Sequence, residues 1–141
     1  MQASLKILPI VLYFIVGAVS FMMALKSMMS HQFLPFHEKA AGRRWEDIDE
    51  SLKQVILSLL RLSGLGFLVI SILLTVFPVF NYFYPNYFYR LSIPVIACIY
   101  CAGLFLNNYI LFRSTKAGTP WKGSLTAMVI IIIAILISFF D

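Results

Sequence analysis

The sequence predicts an all-α polytopic membrane protein, a bundle of four transmembrane helices, and three observations predict it. Four apolar stretches, at about residues 5–25, 55–80, 91–112 and 123–140, fill most of the 141 residues, and each is long enough to cross a hydrocarbon core. Each runs continuously in Leu, Ile, Val, Phe and Met instead of alternating. That excludes the strands of a barrel and leaves helices to satisfy the backbone in lipid. The composition agrees: 61% of residues are hydrophobic, 12% are charged and the mean hydropathy is +0.90, whereas soluble domains carry about a quarter charged residues. A single domain over 1–141 is expected, with helices over about 5–25, 46–78, 91–112 and 122–140 and a polar loop over 26–54.

Lys and Arg give the orientation. Lys26, Lys39, Arg43, Arg44 and Lys53 lie in the first connection, and Arg113, Lys116 and Lys122 in the third. The other side has only Lys6 and Arg90. This bias predicts that loops 26–54 and 113–122 are cytoplasmic and that both termini are outside. The formal net charge of +5 is then loop charge that orients the chain and meets anionic lipid. No basic face is clustered enough for nucleic-acid binding. Residues 1–6 form a basic n-region and Ala18-Val19-Ser20 a passable cleavage signal, but apolar character continues to Leu25, so an uncleaved first helix is expected.

The first helix carries Pro9 and a small-residue patch, Gly17, Ala18 and Ser20, which would let helix two or four approach closely. Ile48, Leu52, Val55, Ile56 and Leu59 recur at spacings of three and four, with Glu46, Asp47, Asp49 and Glu50 ahead of most of them. That pattern predicts a second helix starting near Trp45, extended into the cytoplasm and unbroken to about Phe77, where Pro78 stops it. Trp45 and Trp121 are placed as interface anchors. Residues 81–90 hold four tyrosines, an aromatic belt at the outer headgroup level, with an aromatic ligand box as the alternative. Ser92 and Pro94 would open helix three, Gly118 would close it and Pro120 would open helix four.

Three groups of residues are candidates for chemistry. Cys98 and Cys101 form a CxxC, as in four-helix membrane oxidases that pass electrons from thiols to quinone; those need a second cysteine pair, and this chain has only two cysteines. Small apolar packing is the simpler role for both. His31, His37 and Glu38 are metal-ligand types, but their spacing matches no metal motif, so neither a metal nor another cofactor is expected; a solvated or pH-sensing histidine is the ordinary reading. Arg61 lies within the second apolar stretch, where it must snorkel or pair, at a depth that Asn107 and Asn108 match from helix three. The expectation is a polar cluster of Arg61 with Asn107 or Asn108, capped by the His37 loop. It would be a lock between helices two and three or a site for an anionic headgroup or small anion. Gly64 and Gly66 would permit close packing at that crossing.

The stretch Phe33-Leu-Pro-Phe-His37 followed by Gly42 and Trp45, then Leu60-Arg61 with Gly64 and Gly66, then Arg113 leading through Thr115 to Thr119-Pro-Trp121, together resemble an uncharacterised family of small bacterial four-helix inner-membrane proteins. The resemblance covers residues 33–121. The Cys98/Cys101 pair and the aromatic outer loop depart from its pattern. It implies a bacterial inner-membrane location and the same bundle, and it directs attention to His37, Trp45, Arg61 and Trp121 at the cytoplasmic face; it carries no reaction. The leading functional expectation is a non-enzymatic scaffold, accessory subunit or homo-oligomer, with membrane lipids and a second copy or a membrane-complex subunit as partners. Binding or transport of a small amphiphile or anion near Arg61, Asn107 and Asn108 is the alternative, and thiol–quinone redox through Cys98 and Cys101 a second one.

Overall fold

A computed structural model describes residues 2–139, with side chains from residue 7 onward; the Lys6 side chain and residues 1, 140 and 141 lie outside the described residues. The described residues are all helical and irregular, in the order α1 (Gln2–Met28), α2 (Pro35–Ala41), a single 3-10 turn (Trp45–Asp47), α3 (Glu50–Phe83), α4 (Tyr87–Thr115) and α5 (Trp121–Phe139). Four of these, α1, α3, α4 and α5, are long and apolar enough to cross a membrane.

Small residues decide how the bundle closes. On α1 the buried positions Tyr13, Gly17, Ser20, Ala24 and Ser27 recur at spacings of three and four, and four of the five are small. The facing stripe on α3 is Leu60, Gly64, Ser71 and Leu74. A Cβ on Gly17 would stand 2.6 Å from Thr75 Cγ2, and one on Gly64 would stand 3.1 Å from the Met28 amide nitrogen and 3.2 Å from the Ala24 carbonyl oxygen. The two backbones therefore approach closely at these glycines, the arrangement that gains dispersion contact in lipid. Because Gly17 meets Leu74 and Gly64 meets Met28, the pair is antiparallel. In its other packing contacts α1 lies against α5, α4 lies mostly against α5, and α3 touches α4 far less than it touches α1. Tyr13, Val16, Ile70, Leu74, Ala97, Cys101, Ile131 and Ala134 form the core between them.

Several expected element ends move. The second long helix does not run unbroken from Trp45: Trp45–Asp47 is a 3-10 turn, Ile48 is extended and buried, and α3 starts at Glu50 after Asp49. Burying Ile48 turns the chain where the charge pattern alone would have continued the helix. Residues 35–41, expected in a loop, form α2 with Pro35 at its first turn and Gly42 left-handed at its end (φ 63°). Pro78 does not stop α3, and Pro94 does not open α4; both sit inside helices. The turn between them is Tyr84, Pro85 and Asn86, where Asn81 Oδ1 accepts from the Asn86 amide at 2.9 Å and Asn86 Oδ1 accepts from the Phe88 amide at 2.9 Å. Nor does Gly118 close α4. The left-handed residue is Lys116 (φ 57°), because Thr119 donates to the Asn108 carbonyl at 2.8 Å and Thr115 accepts from the Ala117 amide at 3.2 Å, fixing the turn two residues early.

Two helix glycines of opposite surroundings test this packing. Gly64→Ala should destabilise the bundle by about 1–3 kcal/mol in detergent unfolding, because the methyl meets backbone that cannot yield. Gly103, where a Cβ would have nothing within 4 Å, should gain about 0.4–1 kcal/mol on change to Ala. Lys116→Gly should also stabilise, by about 1 kcal/mol, through relief of the left-handed conformation.

Candidate functional site

The two ends of the bundle carry polar side chains of different kinds. At the end holding α2 and the α4–α5 turn, Trp45 stacks edge-on to Phe33 at 5.1 Å and Lys53 Nζ lies 5.9 Å from its ring centre. Trp121 is wedged against Phe105, Tyr109 and Phe112 of α4, with ring centres 5.7–6.3 Å away. Both expected anchors are thus held in aromatic clusters. His37 is half-buried, 4.0 Å from Phe36 and 6.2 Å from Phe33 between ring centres, and this burial lowers its pKa from the usual 6.5.

Arg61, Asn107 and Asn108 share this end, but no described hydrogen bond joins them. Tyr100 faces Gly66, so in an antiparallel pair Arg61 lies near the level of Phe105, close to the depth expected. Its side chain is exposed and, among the described residues, meets no hydrogen-bond or ion-pair partner. Asn107 is exposed, and Asn108 donates to the Leu104 carbonyl of its own helix at 2.9 Å. The two glycines also separate: Gly66 receives Tyr100 of α4, whereas Gly64 receives α1. The reason is the spacing. Residues 64 and 66 lie about 200° apart around a helix, so they cannot serve one crossing. His31 and Glu38 are exposed, and no three His, Cys, Asp or Glu side chains converge among the described residues. Cys98 and Cys101 are free thiols midway along α4, the first partly buried and the second in the core.

A different site lies at the opposite end. Here α1, α3, α4 and α5 surround a cavity of about 700 Å³. Three prolines line it from three helices: Pro9 of α1, Pro78 of α3 and Pro94 of α4. A proline has no amide hydrogen, so Pro78 and Pro94 release the carbonyls of Leu74 and Arg90 from their helical bonds. Kinkable, unpaired backbone at such a depth is tolerated where it lines a cavity. Ile10, Phe77 and Ile93 supply apolar wall, and Tyr82, Tyr87 and Tyr89 form the rim.

Polar side chains in the wall include Tyr13, Asn81, Asn86, Arg90 and Ser138. Tyr13 is only 4% exposed, and its side chain lines the cavity. Its polar neighbours are Arg90 and the Ser138 hydroxyl, which donates to the Ala134 carbonyl at 2.9 Å and keeps lone pairs to accept from Tyr13. Arg90 reaches across from the first turn of α4 and donates to the Ser138 carbonyl of α5. Of the five arginines it alone is not exposed. The sequence alone presents Arg90 as a topology charge and residues 81–90 as a belt, and it marks out neither Tyr13 nor Ser138. The signal available is a proline toward the same end of three successive long apolar helices, with an arginine between two of the prolines.

Comparisons with protein-family models, with curated proteins and with solved structures found no match.

The lowered pKa of His37 has a definite sign. Above about pH 6.5 both the packed and the unpacked histidine are neutral. As pH falls through that value the unpacked segment gains a proton that the packed one resists, so the packing of residues 33–45 weakens until the lower, folded pKa is passed. In a Trp121→Phe background, Trp45 fluorescence should therefore change between about pH 7.5 and 5.5, and His37→Phe should remove the change.

Proposed function

We propose that the protein is a multi-pass protein of the bacterial inner membrane that binds a small amphiphile at the outer end of its bundle. The observation that carries this reading is the cavity of about 700 Å³ lined from α1, α3, α4 and α5, with the buried Tyr13 in its wall. The cavity is of the size that holds a small molecule. The Arg61 end supports binding less well, since its three expected residues do not meet there. Four spans, with loops 26–54 and 113–122 cytoplasmic and both termini outside, follow from the Lys and Arg bias, and the bacterial inner membrane from the family resemblance.

A scaffold role has one observation in its favour. At 34 residues, α3 is about 51 Å long, more than the roughly 30 Å of hydrocarbon. Its first turns, with α2 and the 3-10 turn, then form a cytoplasmic handle for a partner.

Native mass spectrometry of protein released gently from its own membrane tests the binding reading. A small amphiphile should co-purify, be lost on Ile10→Trp, which fills the cavity, and survive Arg61→Ala. A bare protein, or a ligand lost only on Arg61→Ala, would overturn the reading. The topology is tested with Cys98 and Cys101 replaced by Ala. Pro85→Cys should react with a membrane-impermeant maleimide on intact cells, and Ser30→Cys only after permeabilisation.

A further inference from the structure

We propose that the cavity selects an amphiphile whose head group is a neutral hydrogen-bond acceptor, such as an ester or ketone carbonyl, and that the side-chain amides of Asn81 and Asn86 donate to it. This rests on the binding reading above and adds the chemistry of the ligand. The hydrogen-bonding capacity of the wall decides the class. Asn81 Oδ1 accepts from the Asn86 amide and Asn86 Oδ1 accepts from the Phe88 amide, each at 2.9 Å. Both carboxamides are therefore fixed in orientation with their oxygens engaged, while neither Nδ2 donates to a partner among the described residues. Tyr13, Ser138 and Arg90 have partners within the protein: the Ser138 hydroxyl donates to the Ala134 carbonyl and accepts from Tyr13, and Arg90 donates to the Ser138 carbonyl of α5. The rim tyrosines are exposed, and their hydroxyls serve as donor or acceptor alike. What the wall holds out to a ligand is a pair of oriented, neutral donors.

Charge selects in the same direction. The wall contains an arginine and, among the described residues, no carboxylate, so an ammonium head finds no counter-charge there. A carboxylate head brings a full charge against neutral amides, and desolvating a charge costs far more than desolvating a carbonyl unless the charge is paired. Arg90, the cation of this wall, is held against α5 by the Ser138 carbonyl. Placement then makes the site amphipathic. Asn81 lies in the last turn of α3 and Asn86 caps α4, so both donors stand at the turn. Phe77 precedes Asn81 by four residues and Ile93 follows Asn86 by seven, spacings that return to the same helix face one and two turns farther from it. With Ile10 of α1 they supply the apolar wall. A head held at the turn leaves its chain against these side chains.

Photolabelling of the full-length protein in nanodiscs of ether-linked phosphatidylcholine, a lipid without ester carbonyls, tests the proposal. Matched long-chain diazirine probes end in a methyl ester, a primary amine or a carboxylate. The ester should label cavity residues about tenfold more than the amine at equal concentration, the factor that a pair of ordinary hydrogen bonds gives, and more than the carboxylate. This comparison is made in the wild type and holds whether or not a variant folds. Asn81→Asp and Asn86→Asp each keep the oxygen that accepts from the backbone amide and replace the donor with an acceptor. Each should lower ester labelling about threefold, the share of one hydrogen bond, and raise amine labelling, in a protein that still unfolds at the wild-type temperature. Equal labelling by ester and amine in the wild type, or an ester preference that both Asp variants keep, would overturn the head-group assignment and leave the cavity as a binding site. Stronger labelling by the carboxylate than by the ester would overturn the neutral head in favour of an anionic one. Labelling of cavity residues by no probe above the Ile10→Trp background would overturn the binding reading itself.

Discussion

Everything in this bundle is arranged around the approach of α1 to α3. In lipid the apolar surface of a helix gains nothing by leaving its surroundings, so helices associate where backbones can come close enough for dense contact. Gly17, Ser20, Ala24 and Ser27 on one helix and Gly64 and Ser71 on the other provide that. Once α1 is committed to α3 along this stripe, its remaining flank takes α5, and α4 follows α5. The short Tyr84–Asn86 turn keeps the start of α4 near the end of α3, yet no matching seam of small residues draws the two together along their length. Tyr100 packs over Gly66 and Phe67. The space left between them at the proline end is the cavity.

The same logic explains why prolines mark that end. A helix in lipid cannot leave a carbonyl unpaired against acyl chains. Pro78 and Pro94 are therefore acceptable only if the carbonyls they release face protein, water or a ligand. Both prolines stand in the cavity wall. Arg90, Tyr13 and Ser138 stand in the same wall. The opposite end is closed instead by aromatic packing around Trp45 and Trp121, with His37 inside the first cluster.

The spans are legible in the sequence because hydropathy over about twenty residues averages out local detail. The close packing at Gly17 is legible because small residues have one strong use in membrane helices. Helix ends are less so. Pro78 reads as a helix stop and Pro94 as a helix start on rules learned in water, where a broken helix bond goes to solvent; both sit inside helices here. Trp45 reads as a helix start because the burial of Ile48, a tertiary fact, leaves no trace in the charge pattern. The sequence sets Arg61, Asn107 and Asn108 at about the right depth, but rotation around the helix axis decides contact, and a single sequence constrains that angle poorly. Arg90 and Tyr13 lie 77 positions apart and become neighbours only when α1, α4 and α5 pack. No motif could have joined them.

The most direct test is a crystal structure of the protein grown from a lipid phase doped with its native lipids. Chain-shaped density is expected in the cavity between Pro9, Pro78 and Pro94. A collapsed chamber, with no density between these prolines, would contradict the binding site at its centre.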